Sequence, residues 1–177
     1  MMASWPAAYA FLRMAEGGFV VDDGGPTMDG ITLTTLRRHF PNATEADLKA
    51  MSTTEVEGIY RADYWHKVDG DCLPAGLDLM LFDEAVNAGP GRSIELLQRT
   101  LGIAADGVIG PITLGAIAPW DTCSLIGHLA AAQAEYYRGL NDFALYGKGW
   151  LHRVAARQAA ALVLATKPGG PHVAAAT

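Results

Sequence analysis

Pro74-Ala-Gly-Leu-Asp-Leu-Met-Leu-Phe-Asp-Glu-Ala-Val-Asn-Ala88, followed at once by Gly89, is the most apolar stretch of the chain. Leu77, Met80, Leu81, Ala85 and Ala88 recur at three- and four-residue spacing, which predicts a helix buried along one face, opened by Pro74 and ended by Gly89. Helical patterns surround it. Upstream, Pro6 suits a first turn, and Ala8, Phe11, Leu12 and Ala15 follow at helical spacing. Thr32, Thr44 and Ser52 each read as a cap, and Ser52-Thr-Thr-Glu55 fits the capping box, in which hydroxyl and carboxylate satisfy backbone donors reciprocally. Downstream, helices are predicted at about 92–101, from Pro111, from Asp121 to Tyr137 and from Trp150 to Ala165, with a loop at 141–149. No strand signal of any length appears, although the turn-rich residues at 17–32 allow a small β-hairpin or an ordered loop. The expected fold is therefore all-α, a helical bundle around the central apolar helix at about 74–88.

The 177 residues suffice for one domain with a real core, and half of them are hydrophobic. Thirteen basic against nineteen acidic residues leave a net charge of −6 without a Lys/Arg cluster, so nucleic acid is not an expected partner. Only Cys72 and Cys123 occur, which argues against a disulfide scaffold. The five histidines share no metal-binding spacing, so neither a metal nor a cofactor is expected. No basic region followed by an apolar core marks a secretory signal, and no apolar run is long enough to span a membrane. The expectation is a protein made in the cytoplasm, with residues 167–177 a disordered tail.

With metals and cysteine nucleophiles set aside, carboxylates carry the chemistry. In Met14-Ala-Glu-Gly-Gly-Phe-Val-Val-Asp-Asp-Gly-Gly-Pro-Thr27, Glu16 stands at the end of the first helical pattern, one turn beyond Leu12. An apolar wall and the negative end of a helix both disfavour its ionised form, which suits a general acid near neutral pH. Glycoside hydrolysis requires such an acid and a second group that activates water or stabilises the sugar cation. Asp22 or Asp23 could supply the second role across the glycine-rich loop, with Thr27 and Thr32 positioning water. Asp83 and Glu84 are rival carboxylates in mid-helix, where at least one is expected to be solvated or paired.

The ordered motifs resemble glycoside hydrolase family 108. They are Glu16-Gly-Gly-Phe19, Gly24-Gly-Pro-Thr27, Gly30-Ile-Thr32, Ile59-Tyr-Arg-Ala-Asp-Tyr-Trp65, Gly76-Leu-Asp78, Phe82-Asp-Glu-Ala-Val-Asn-Ala-Gly-Pro-Gly-Arg92, Leu97-Gln-Arg-Thr-Leu-Gly102, Asp106-Gly-Val-Ile-Gly-Pro111, Tyr137-Arg-Gly-Leu140 and Gly147-Lys-Gly-Trp150. The resemblance spans roughly residues 4–165. It implies a lysozyme-like helical fold and an N-acetylmuramidase that cuts the glycan strand of peptidoglycan, with Glu16 as the essential acid. It also implies a catalytic part at 1–90 and a peptidoglycan-binding part at 91–166, together one structural unit. Members act as phage endolysins or in bacterial secretion, so release to the wall through a holin or another export route is expected, and the chain is expected to act as a monomer. A further likeness to phage-type lysozymes makes Thr27 the water-holding threonine and Asp22 the aspartate. The loop after Phe19 is shorter than the family's, and Met28-Asp29 replaces a usual Lys-Tyr or Asn-Tyr, so Asp29 joins Asp22 and Asp23 as a candidate second carboxylate. Asn87, Tyr64 and Trp65 are candidates for sugar contacts by hydrogen bonding and ring stacking, with core packing the alternative for Trp65, and Thr32 is a further substrate-binding candidate. A lytic transglycosylase and a non-catalytic wall-binding protein are the rival functions.

Overall fold

The computed structural model describes residues 4–15, 19–22 and 25–166, with residues 15, 19–22, 25 and 26 described through their backbone. Helices dominate, as the all-α expectation requires, and one small sheet accompanies them. Packing divides the chain into two compact units, one running from Tyr9 to Asp63 and the other joining the residues up to Ala8 with the chain from Tyr64 onward.

The Tyr9–Asp63 unit takes most of α1 (Trp5–Ala15), then β1 (Phe19–Asp22), β2 (Gly25–Met28) and β3 (Ile31–Thr32), and then α2 (Leu33–His39), α3 (Glu45–Lys49) and α4 (Thr53–Tyr60). The strands form an antiparallel sheet in sequence order, with Val20 opposite Thr27 and Thr27 opposite Thr32. This is more sheet than a hairpin or ordered loop, and it was hidden by strands of two to four residues rich in Gly, Pro and Asp. Met28-Asp29-Gly30-Ile31 closes the β2–β3 hairpin with two residues at positive φ, 45° and 80°, the conformation for which an Asp-Gly pair is suited. The three caps are where the sequence puts them. The Thr32, Thr44 and Ser52 hydroxyls each accept the N–H three residues on, and Thr44 and Ser52 complete capping boxes with Asp47 and Glu55.

A π-helical turn, Arg61–Trp65, runs across the boundary at Asp63. In the other unit short 3₁₀ turns lead to α5 (Leu77–Ala88), followed by α6 (Pro90–Thr100), α7 (Pro111–Ile117), α8 (Thr122–Arg138) and α9 (Phe143–Ala165). Every residue of α5 from Leu77 to Ala85 is buried, and α6, α8 and α9 pack around it, which makes it the central helix expected. It opens at Leu77 rather than Pro74, because Gly76 at φ 88° turns the chain and Asp78 accepts the Gly76 and Leu79 N–H groups. Gly76 has no substitute there, since a Cβ would lie 2.3 Å from the Ala161 carbonyl oxygen. The Asp106–Pro111 motif is a loop pinned by buried Gln98, whose amide donates to Asp106, Val108 and Thr113 and accepts the Gly107 N–H.

The expected loop at 141–149 is instead mostly helix, for α9 begins at Phe143. Gly147 and Gly149 read as breakers in sequence, yet a Cβ on Gly147 would come within 2.5 Å of the Phe143 ring, so this glycine lets a phenyl lie across the helix. No described helix is long and apolar enough to cross a membrane. The expected tail at 167–177 lies outside the described residues.

Candidate active site

In the Tyr9–Asp63 unit the expected catalytic residues fall on and around the small sheet that follows α1 in the chain. Thr27 stands at the middle of the sheet, directly opposite Thr32 and therefore on the same face. Thr32 is committed locally: its hydroxyl accepts the Thr35 N–H at 3.0 Å and donates to the Thr35 hydroxyl at 3.1 Å. Asp22 is the last residue of β1, in register with Gly25. Glu16 follows directly in sequence on Ala15, the last residue of α1. Glu16 and Asp23 lie outside the described residues, so the expectations on them rest on sequence.

Asp29 is held more firmly than its place in a turn suggested. It is 8% exposed, its carboxylate lies 3.7 Å from the Arg13 guanidinium, and its backbone carbonyl accepts the Tyr60 hydroxyl at 2.8 Å. Tyr9, tilted against Tyr60 with ring centroids 6.1 Å apart, lines the same place, and burial pushes its phenol above the ordinary range. Buried Tyr9, Asp29 and Tyr60, with the exposed Arg13 paired to Asp29, thus support the β2–β3 turn. Tyr60 falls at helical spacing with Val56, which predicts core packing but carries no sign that its hydroxyl holds a turn 31 residues away. Gly30→Ala should cost about 1 kcal/mol, since an L side chain pays that at the left-handed φ of this turn. Urea unfolding of the variant measures the loss, and an unchanged midpoint would show that the turn does not need a glycine at residue 30.

Apart from Thr32, the expected sugar-contacting residues belong to the other unit. Trp65 is corrected to a core residue: it is 0% exposed, its ring meets Trp5 and Phe82 edge-on, and its indole N–H donates to Asp71 at 3.0 Å. A ring with no surface left has no face to offer a sugar. Tyr64 is half-buried in the π-helical turn. Asn87 is exposed near the end of α5, where its amide donates back to the Asp83 carbonyl at 2.6 Å.

Asp83 and Glu84 leave the list of catalytic rivals together, since both are fully buried and paired. Arg153 grips Asp83 through two bonds of 3.1 and 2.8 Å, and Arg157 bonds Asp83 at 2.7 Å, Gln133 at 2.8 Å, and Glu84. Tyr137 donates its hydroxyl to Glu84 at 3.1 Å. Burial is the largest influence on both carboxylates. The two guanidiniums overcome it for Asp83 and hold it below the usual range, whereas burial prevails for Glu84 and raises it. Burial and the neighbouring carboxylate likewise push the Tyr137 phenol well up. Among the described residues, no group of three or more His, Cys, Asp or Glu could hold a metal ion.

Set beside known proteins, residues 9–89 match the model of glycosyl hydrolase 108, and residues 92–155 match that of a predicted peptidoglycan domain. Among solved structures, the chain is similar to one titled "Structure of Brucella abortus SagA", from Brucella abortus, at 37% identity and a TM-score of 0.85. The likeness covers 93% of this chain and 97% of that one. None of the curated proteins matches the chain.

Proposed function

We propose, from the premise that this chain belongs to the glycosyl hydrolase 108 family and is a glycoside hydrolase acting on peptidoglycan, that it is an N-acetylmuramidase. The bond assigned to it joins N-acetylmuramic acid to N-acetylglucosamine. Glu16 is the residue proposed to protonate the leaving oxygen. Asp22 or Asp23 then stabilises the developing positive charge or orients the attacking water, and Thr27 holds that water. Asp29 is the poorer candidate for this work, because its carboxylate is buried against Arg13.

One observation carries the reading. The helix that ends immediately before Glu16 leads into the sheet that has Asp22 at the end of one strand and Thr27 in the middle of the next. Residues 1–90 are assigned the cutting of the strand and 91–166 its retention, a division supported by the two family matches. Thr32, Tyr64 and Asn87 remain proposed sugar contacts, Thr32 through whatever its capping hydroxyl can still accept. The physiological reading is a monomeric endolysin, made in the cytoplasm and delivered to the wall through a holin or another export route.

Mass spectrometry of fragments released from purified walls tests the bond and the outcome together. Hydrolysis by a muramidase yields fragments ending in reducing N-acetylmuramic acid. A 1,6-anhydro terminus would replace hydrolysis by the lytic transglycosylase reaction, and a reducing N-acetylglucosamine would move the cut to the other bond.

A further inference from the structure

The early start of α9 sets Tyr146 and Trp150 one helical turn apart on the same side, a spacing at which two side chains meet. Their ring centroids are 5.7 Å apart. The row continues onto the end of α8, where Tyr137 stacks on Trp150 at 5.4 Å with 30° between the planes and Tyr136 lies 5.3 Å beyond. At the far end the Arg92 guanidinium, paired with Glu95 at 2.7 Å, sits 5.4 Å over the Tyr136 ring. Tyr137 is the buried base of the row, tied through its hydroxyl to Glu84. The other three rings reach the surface, Tyr146 being 58% exposed and Tyr136 and Trp150 half-buried. A Cβ on Gly149, beside Trp150, would meet nothing within 4 Å. Among the described residues, no protein group bonds the Tyr136 or Tyr146 hydroxyl or the Trp150 indole N–H.

A row of rings that reaches the surface with unused polar edges is suited to a ligand that is apolar on one side and hydrogen-bonding at its rim. Pyranose rings have that character, presenting C–H bonds on their faces and hydroxyls around the edge. We propose that Tyr136, Tyr146 and Trp150, with Arg92 at the end of the row, form a binding subsite for the glycan strand of peptidoglycan. Sugar faces lie on Trp150 and Tyr146, the ring edges bond hydroxyl and acetamido groups, and Arg92 meets a lactyl carbonyl at the Tyr136 end. The inference rests on peptidoglycan being the polymer bound, and all four residues fall within the 92–155 match to a predicted peptidoglycan domain. It adds which side chains make the contact, and it commits to the sugars rather than the peptide stems.

The test uses the full chain carrying Glu16→Gln, sedimented with purified walls and with glycan strands stripped of peptide by an amidase. Tyr146→Ala should bind both about fivefold more weakly, because an exposed aromatic contact of this kind is lost, while its melting temperature stays that of the parent. Trp150→Phe keeps the stacked ring and should bind within about twofold of the parent, and Ile112→Ala, at an exposed apolar position outside the row, should bind as the parent does. In the unsubstituted chain, chitotetraose should shift indole fluorescence, and Trp150→Phe should abolish the shift. Parent-like binding of stripped strands by Tyr146→Ala, or failure of the parent to bind strands once the peptides are gone, overturns the proposal. The fluorescence comparison needs no catalysis, so failure of the Glu16 assignment would appear in released fragments and leave this result readable.

Discussion

Glu16→Gln should lower the release of fragments from purified peptidoglycan by about 10³-fold, the middle of the range for loss of a general acid. Glutamine preserves the size and polarity of the side chain but has no proton to give the leaving oxygen, and the departing alkoxide is then the barrier. Residue 16 immediately follows the last residue of α1, and Arg13 and Leu12 occupy the turn before it. The expectation from sequence is that a helix's C-terminal end and an apolar neighbour favour the protonated carboxyl, the working form of an acid near neutral pH. Wall binding should survive the substitution, since the proton matters at the transition state and not for holding the strand. Fragment release and co-sedimentation, measured on one preparation, separate the two effects. A variant that cuts like the parent would sink the acid assignment, and a parent that binds without cutting would make the protein a wall-binding module.

Arg157→Met should destabilise the fold by about 3–5 kcal/mol, because it strands buried carboxylates whose charge the guanidinium balances. In a chain of this size that corresponds to a fall in melting temperature of roughly 10 °C by calorimetry. Arg153→Ala should cost less: its side chain is partly exposed, and Asp83 keeps its bond to Arg157. The pH dependence has a definite sign. In the parent, Asp83 has a lowered folded pKa, so its contribution is present above the unfolded value and is lost as pH falls through the folded one. Glu84, raised by burial, contributes most at low pH and less as pH rises through its folded value. Removing Arg157 leaves burial opposed only by Arg153 at Asp83, so both carboxylates should then fold more easily protonated. The deficit of the variant should therefore be largest near neutral pH and narrow toward about pH 4, where carboxylates take up protons. A deficit independent of pH would mean that lost packing, not stranded charge, is responsible.

Local physics was the most legible part. Thr32, Thr44, Ser52 and Asp121 were readable as caps because a cap involves groups three residues apart. The central helix was readable because three- and four-residue apolar spacing has few other causes. The sheet was less so: Asp29-Gly30 is a strong hairpin signal, but its flanking strands are too short and too rich in turn residues to show alternation. Gly147 misled because a glycine that makes room for a ring and one that ends a helix are the same letter.

What the sequence by itself determined is the helical bundle, its central helix, the caps and the ordered motifs that carry the family resemblance. All depend on residues near one another in the chain. The tertiary structure alone decided that Trp65 packs in a core and that Tyr60 holds the turn at Asp29. It also decided that Arg157, in an alanine-rich stretch of α9, closes a buried network with carboxylates more than 70 residues away. Burial and ion pairing are properties of what comes to surround a side chain, and helical period states only which way that side chain faces.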